Sequence, residues 1–171
     1  EAGYNFGDKT SYGYHDGFDI NDKLGGNSDL GKPIFAIANG EVTSVHNHTT
    51  KPTFGNHIHY LIKGDWGKRY IHHAHCQEIF VKIGDFVKEG QKIATIGNSG
   101  TVYSHDHWAC KKELTGIDGL ATTLERLKLW EDPLVFVNNW IEHGIIPPSG
   151  EDMTDEQKRV FQFIDENKGS E

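Results

Sequence analysis

The sequence predicts a β-rich protein, an all-β core of antiparallel strands with C-terminal helices. Up to about residue 113 the β-prone runs are short, and Gly84, Gly90 and Gly97 interrupt them as tight turns require. Beyond residue 120 the chain instead carries helix-capping signals. With 171 residues, of which 36% are hydrophobic, the chain is long enough for one domain with a sizeable core.

The strands are predicted from alternation and turn residues. Between Lys32 and His46, two apolar runs flank an Asn-Gly pair at positions 39–40, which is a strong signal for a hairpin. Strands are also predicted at His57–Lys63 and Lys68–His75, joined by a turn, and at Asp106–Glu113.

The helices are predicted from their caps. Thr122 and Glu125 have the spacing of a capping box before an apolar run. Asp132 followed by Pro133 is typical of an N-cap and a first helical position, and Gly144 is suited to end that second helix.

A boundary is predicted at the Pro147-Pro148-Ser149-Gly150 linker. We therefore expect one domain at residues 1–146, and a linker with a helical C-terminal extension at residues 147–171. Thr154 and Gln157 have capping-box spacing before an amphipathic segment. We expect that helix to pack on the domain or to join a further domain or assembly partner.

Charge and hydropathy exclude several classes of partner. The formal net charge of −8 argues against nucleic acid and anionic membranes, whose partners are basic. No apolar run has the length of a membrane span, so no membrane insertion is expected. The chain begins at Glu1 without a signal peptide or initiating Met, as expected of a processed chain whose export signal was removed.

The arrangement of the histidines carries the functional signal. His15 and Asp19 form an H-x-x-x-D pair, and His105 and His107 form an H-x-H pair whose side chains share one face of an extended strand. His75 lies between the two pairs in sequence. A hydrolytic zinc site needs three protein ligands, an open position and nearby acid–base groups. The pattern therefore predicts a zinc hydrolase.

Strand alternation sorts the other histidines. His73 is expected on the same face as His75, and His72 on the opposite face, outside the site. His57 and His59 are expected to line a groove or to face solvent. The histidines expected at the surface are His46, His48 and His143.

Cys76 and Cys110 form no C-x-x-C pair, so a zinc knuckle is not expected. The same alternation places both thiols on the face away from the site, as small buried hydrophobes. A disulfide between them stays open if their strands are neighbours.

Longer strings resemble the lysostaphin-type (LytM-domain) zinc metallopeptidases, which cut peptidoglycan peptides. The similarity runs from about Phe6 to Phe136. The strings that carry it are FGDK, HDGFDI, GKPIFAIANGEV, GNHIHYLI, HAHCQEIFVKIGDFVKEGQKIATIGNSG, HDH and DPLVF.

The resemblance implies antiparallel sheets framing a groove with Zn²⁺ at its floor. It implies that His15, Asp19 and His107 are the zinc ligands and that His75 and His105 are the catalytic histidines. Tyr12, Tyr14, Trp66 and Tyr103 are candidates for the groove walls, with ordinary packing preferred for Trp66. The sequence departs from the family where His73 replaces the frequent Tyr, where Cys76 replaces Leu, and at Trp108-Ala109, where Phe-Glu is common.

The implied activity is zinc-dependent hydrolysis of peptide cross-links or stem peptides of peptidoglycan. The implied location is extracellular, periplasmic or cell-wall associated, or virion-associated for a phage protein. Three alternatives stay open: a non-catalytic regulatory domain of the same fold, a wall-cutting domain of a phage tail or other assembly protein, and a D-alanyl-D-alanine carboxypeptidase. The carboxypeptidase ranks lowest, because its first His and Asp lie further apart in sequence.

Overall fold

A computed structural model of the chain describes residues 3–47, 54–64, 67–112 and 121–142. The described residues form eleven short strands and two helices. The strands are β1 Lys9–Thr10, β2 Gly13–Tyr14, β3 Phe18–Ile20, β4 Pro33–Phe35, β5 Gly40–His46, β6 His57–Gly64, β7 Gly67–Ala74, β8 Phe86–Val87, β9 Lys92–Thr95, β10 Asp106–Lys111 and β11 Trp130–Glu131. The helices are α1 Leu124–Leu127 and α2 Pro133–Glu142.

One large antiparallel sheet organises the described chain. Its strands follow the order β11-β10-β7-β6-β5-β8, and β3 also pairs with β10. Two small sheets, β1-β2 and β4-β9, flank it. The predicted β-rich fold is confirmed, and so are the strands β6, β7 and β10 where the alternating pattern placed them.

The large sheet has two different faces. One face, here called the core face, carries Ile58, Tyr60, Ile71 and Cys110, which belong to the main hydrophobic core. On the other face, His59, His72 and Ala109 are cross-strand partners. Because side chains two apart on a strand share a face, His107 lies on that same face. We call it the histidine face, and it holds the candidate site.

The hairpin predicted at Asn39-Gly40 is wrong. β4 pairs with β9 and β5 pairs with β6 and β8, so the two runs enter different sheets. Asn39 Oδ1 accepts a hydrogen bond from the backbone N–H of Glu89, 2.9 Å away. A Cβ on Gly40 would lie 2.6 Å from the carbonyl oxygen of Leu61. Asn39 and Gly40 therefore lie where the chain passes from the small β4-β9 sheet to the large sheet. Glycine is needed at position 40 because a side chain would clash with Leu61, not because the chain forms a hairpin turn there.

The capping signals are confirmed in part. Asp132 caps α2, because its Oδ1 accepts the N–H of Leu134 at 2.9 Å. α1 is capped by Thr123 instead of the predicted Thr122, and it is four residues long. The apolar run after it becomes β11, which pairs with the end of β10. Gly144, the linker and the C-terminal segment lie outside the described residues.

Cys76 and Cys110 are both buried free thiols of the main core. Both lie away from the site as predicted, although for Cys76 this follows from the left-handed residue before it and not from alternation. The two residues do not form a disulfide. Burial raises the pKa of both thiols, so they remain protonated and behave as apolar side chains.

Within the described ranges, neither helix combines the length and apolar composition that crossing a membrane requires.

Candidate metal centre and its flanking histidines

Pairing between β3 and β10 builds the candidate metal centre. Asp19 and His107 are direct partners across these strands, and His15 lies just before β3. His15 Nε2 is 2.9 Å from His107 Nδ1 and 3.0 Å from Asp19 Oδ1. His107 Nδ1 is 3.2 Å from the same carboxylate oxygen. Two nitrogens and one oxygen therefore converge on one point of the histidine face.

The outward-facing nitrogens of the two histidines are also engaged. His15 Nδ1 lies 3.1 Å from the carbonyl oxygen of Asn5, so it carries the proton and leaves Nε2 as the lone-pair nitrogen. His107 Nε2 lies 3.2 Å from Asp16 Oδ1. Histidines that bind metals usually have such an outer partner, because it fixes the tautomer and the ring orientation.

Charges within the cluster shift the pKa values of His107 and Asp19 in opposite directions. Burial alone would lower the pKa of His107, but its interactions with the carboxylates of Asp16 and Asp19 outweigh burial and raise its pKa to about 10. Burial alone would raise the pKa of Asp19, but hydrogen bonds and charge interactions with His107 and His15 hold it well below its usual range. The cluster therefore holds an ionised carboxylate and a site for a positive charge.

The donor set fits zinc. One ligand atom from each of His15, Asp19 and His107 lies within 4.8 Å of the others, and all three residues are buried. Among the described residues, these three form the group whose potential ligand atoms converge in this way. Two imidazoles and one carboxylate are a common protein ligand set for catalytic zinc, with the fourth position left to water or substrate.

His75 reaches the same site through an unusual backbone conformation. β7 ends at Ala74, and His75 adopts a left-handed φ of 60°, which is uncommon outside glycine. Its ring centroid lies 4.5 Å from that of His105 and 6.1 Å from that of His107. His105 Nε2 is in turn 3.6 Å from Asp19 Oδ1. The two histidines therefore flank the metal cluster without belonging to it.

The ring of His75 is neutral and has one free nitrogen. Its Nδ1 donates to the carbonyl oxygen of Ser99 at 2.8 Å, which leaves Nε2 with the lone pair. Burial and the neighbouring His105 and His107 lower its pKa to about 3, although the Ser99 carbonyl and Asp19 act in the opposite direction. His75 is therefore neutral at physiological pH.

The prediction that His73 and His75 share a face is wrong. His73 pairs with Trp108 on the core face, where its Nδ1 lies 2.9 Å from Asp106 Oδ2. The left-handed residue after β7 breaks the alternation that the prediction assumed. For the same reason His72, expected on the far side, lies on the histidine face.

His72 belongs to a second group, here called the inner histidine cluster, with His57 and His59. All three are buried, and the ring centroids of His59 and His72 are 4.2 Å apart. His57 lies 5.2 Å from His72 between centroids, and its Nδ1 donates to the carbonyl of Gly55. Burial, followed by the charges of the surrounding histidines, lowers the pKa of His72 well below its usual value. The expectation that His57 and His59 face solvent is wrong.

A pocket of about 360 Å³ opens beside the metal cluster. Tyr4, Asn21, Tyr103 and His105 line it together with Asp19. Sequence reasoning missed Tyr4, whose backbone N–H donates to Asp19 Oδ2 at 3.2 Å, because no motif includes it.

The other aromatic candidates for the groove walls have different surroundings. The half-exposed Tyr12 lies near the cluster: burial, and then the charges of Tyr4, Asp19 and Asp16, raise its pKa. Tyr14 packs against the small core around Ala121 and Trp130, and Trp66 lies outside the described residues.

Comparison with known proteins agrees with this geometry. Residues 13–118, more than half of the chain, match the model of peptidase family M23. The lipoprotein NlpD of Yersinia enterocolitica is 39% identical over 71 residues, which cover 42% of this chain and 68% of NlpD. The peptidoglycan DD-endopeptidase ShyB of Vibrio cholerae is 35% identical over 71 residues, which cover 42% of this chain but 15% of ShyB.

The fold is also that of a solved peptidase. The catalytic domain of the antimicrobial peptidase lysostaphin from Staphylococcus simulans aligns with a TM-score of 0.58 and 22% identity. The alignment covers 81% of this chain and 92% of that domain. The resemblance to lysostaphin-type proteins is confirmed, and the chain belongs to peptidase family M23.

Proposed function

We propose that the chain is a zinc-dependent endopeptidase that hydrolyses peptide cross-links or stem peptides of bacterial peptidoglycan. The observation that carries this proposal is the convergence of His15, Asp19 and His107 beside the His75–His105 pair. Family membership supports peptidase chemistry, and the similarity to ShyB supports a peptidoglycan substrate.

In this proposal His15 Nε2, Asp19 and His107 Nδ1 hold the zinc ion. Zinc bound there supplies the Lewis acidity that polarises the scissile carbonyl and lowers the pKa of a water molecule. Asp19 offsets part of the metal's charge, and the hydrogen bond from His15 Nδ1 to the carbonyl of Asn5 keeps that ring oriented.

His75 and His105 divide the proton transfers in this proposal. His75 has a free lone pair on Nε2 and lies beside the metal cluster, so we assign it as the general base for the attacking water. His105 Nδ1 lies 3.1 Å from the carbonyl of Tyr103, so it carries a proton and leaves Nε2 facing the site. When Nε2 is also protonated, the ring of His105 would stabilise the oxyanion and pass that proton to the leaving amine, and the proton that His75 takes from the water would replace it.

The pocket beside His105 provides a place for one substrate residue. Among its lining residues, Tyr4, Asn21 and Thr101 offer neutral polar groups, and Asp19 is an acidic one. A small or neutral residue, such as glycine or D-alanine, suits these walls better than an anionic side chain. The location implied by this substrate is extracellular, periplasmic or cell-wall associated.

We also propose that residues 1–146 form the catalytic domain and that residues 147–171 join a further domain or partner. Every residue assigned to the site precedes the linker. A chain that ends at Ser149 should cleave a soluble peptide within a few-fold of the full chain. A folded, zinc-loaded truncation that cannot cleave it would show that the C-terminal segment completes the site.

Digestion of purified peptidoglycan tests the proposed activity. The zinc-loaded chain, the same chain treated with a chelator, and zinc-loaded His75→Ala would each be incubated with glycine-bridged and with directly cross-linked peptidoglycan. Mass spectrometry should show new amino termini released by the zinc-loaded chain from at least one substrate, and by neither control. Stoichiometric zinc with no fragments from either substrate would contradict the proposal and favour a non-catalytic domain.

A further inference from the structure

The carboxylate of Asp16, next to His15, is the feature that the site so far leaves without a role. Asp16 has no exposed surface, and neither of its oxygens makes a hydrogen bond within the described residues. Its one ion-pair contact there joins Oδ1 to His107 Nε2 at 3.2 Å. A buried carboxylate without hydrogen bonds is costly unless a positive group compensates it. Asp16 therefore needs a cation at His107.

Asp16 lies on the outer side of the His107 ring. The opposite nitrogen, Nδ1, is the one that faces His15 Nε2 and Asp19 Oδ1. Asp16 is not one of the residues whose ligand atoms converge. It contacts a ligand without being one.

The two candidate histidine ligands differ in their outer partners. His15 Nδ1 faces a neutral carbonyl, that of Asn5, whereas His107 Nε2 faces a full negative charge. A carboxylate behind a ligating imidazole fixes the proton on the outer nitrogen and increases the basicity of the inner one.

The backbone holds this contact in place. Phe18 and Asp19 pair with Trp108 and His107, so the segment before β3 lies directly against β10. A Cβ on Gly17 would lie 2.6 Å from the carbonyl oxygen of Trp108 and 2.9 Å from His107 Nε2. Glycine at this position lets the chain approach the imidazole closely enough for Asp16 to reach it.

We propose that Asp16 is a positioning residue that holds His107 with Nδ1 toward the metal and strengthens zinc binding at the site. This inference rests on the proposed function, because it assigns Asp16 to the zinc site described there. Asp16 touches neither the metal nor the substrate, and it acts through His107.

The test compares the zinc affinity of wild type, Asp16→Asn and Glu125→Gln by competition with a fluorescent chelator. Asp16→Asn keeps the size of the side chain and removes its charge. We expect it to weaken zinc binding by about 10- to 100-fold. The control, Glu125→Gln on α1, removes the same charge from a side chain that is 79% exposed. Because solvent screens that charge, this substitution should change the zinc affinity by less than about twofold.

A spectroscopic measurement separates positioning from a merely structural role. The visible absorption of the Co²⁺-loaded protein reports ligand geometry, and Asp16→Asn should change its intensity or maximum while Glu125→Gln does not. Zinc affinity and a Co²⁺ spectrum both equal to wild type in Asp16→Asn would overturn the inference.

If Asp16→Asn folds only with zinc present, the rate of zinc loss to excess chelator replaces the equilibrium measurement. Loss at least about tenfold faster than wild type supports the inference, and loss at the wild-type rate overturns it. If the wild-type chain binds zinc and cleaves peptidoglycan, and Asp16→Asn binds zinc as tightly as wild type, only the role of Asp16 is refuted. A wild-type chain without zinc would refute the proposed function itself.

Discussion

Two groups of buried histidines lie side by side on the histidine face and behave in opposite ways. In the metal cluster the pKa of His107 rises to about 10. In the inner histidine cluster the pKa of His72 falls well below its usual value. The centroids of these two rings are 5.9 Å apart, and both side chains are almost fully buried.

Carboxylates account for the difference. Burial lowers the pKa of both imidazoles, but Asp16 and Asp19 reverse its effect at His107. The groups that act on His72 are four other histidines, which lower its pKa further. Position on the correct face of a strand therefore does not make a buried histidine a ligand. Acidic partners prepare His107 for a cation, whereas His72 packs as a neutral aromatic ring against His59 and Phe54.

The largest expected effect is the loss of metal from one cluster and not from the other. His107→Ala removes a ligand and should lower the zinc content from about one ion per chain to less than about a tenth. His72→Gln changes a neighbouring buried histidine and should retain about one zinc per chain. Elemental analysis of protein dialysed against trace zinc measures both. Loss of zinc in His72→Gln with retention in His107→Ala would reverse the assignment of the two clusters.

The next largest expected effect is on turnover, which should depend on His75 and not on His73. His75→Ala should lower turnover by about two to four orders of magnitude with zinc still bound, because the general base is removed. His73→Ala is the matched control, since His73 faces Asp106 on the core face. Its turnover per folded, zinc-loaded molecule should stay within several-fold of wild type. Steady-state cleavage of a soluble peptide measures the turnover of both variants. A His75→Ala variant as active as wild type would rule out His75 as the general base.

Comparison of the predicted and observed positions of these histidines shows what the sequence could predict. The H-x-x-x-D and H-x-H pairs indicated the site, and the family resemblance selected His15, Asp19 and His107, which lie together because β3 and β10 pair in register. Alternation failed one residue beyond β7, because the left-handed turn at His75 depends on tertiary hydrogen bonds from its N–H to Phe54 and from Cys76 to Asn56.

Other errors have the same origin in long-range packing. The Asn39-Gly40 pair has the composition of a hairpin turn, but β4 pairs with the distant β9, and β5 pairs with β6 and β8. The role of Asp16 could not be read from its position beside His15, since it depends on contact with a residue on β10. The Asp132 cap, a local signal that depends on one turn of chain, was correct.

His73→Ala should have its main effect on stability. His73 and Asp106 are both buried and joined by a hydrogen bond, and removing one partner costs about 1–3 kcal/mol because the other polar group is left buried without it. Urea unfolding should show this loss of the free energy of unfolding. His73→Ala combined with Asp106→Ala should recover part of it, and a single variant as stable as wild type would show that this hydrogen bond does not stabilise the fold.

The smallest effect concerns pH. The folded pKa of His72 lies below its unfolded value of about 6.5. As the pH falls, His72 is therefore protonated in the unfolded chain while it is still neutral in the folded chain. Stability from this group is therefore full above about pH 6.5 and is lost below it, at up to about 1.4 kcal/mol per pH unit.

His72→Phe keeps a buried aromatic ring and removes this titration. The free energy of unfolding of the metal-free protein, measured in urea between about pH 7 and pH 5, should depend less steeply on pH in this variant. His57, His59, His73 and His107 surround the ring and are present in both proteins, so the comparison changes only residue 72. Equal slopes would mean that His72 takes up a proton in the folded state.

Anomalous diffraction at the zinc edge, from crystals grown with one equivalent of zinc, tests the central claim most directly. We predict one peak between His15, Asp19 and His107, with contacts of about 2.0–2.2 Å to nitrogen and oxygen. No peak should lie in the inner histidine cluster of His57, His59 and His72. Zinc bound in that inner cluster, or a metal cluster left empty at full zinc occupancy elsewhere, would contradict the account.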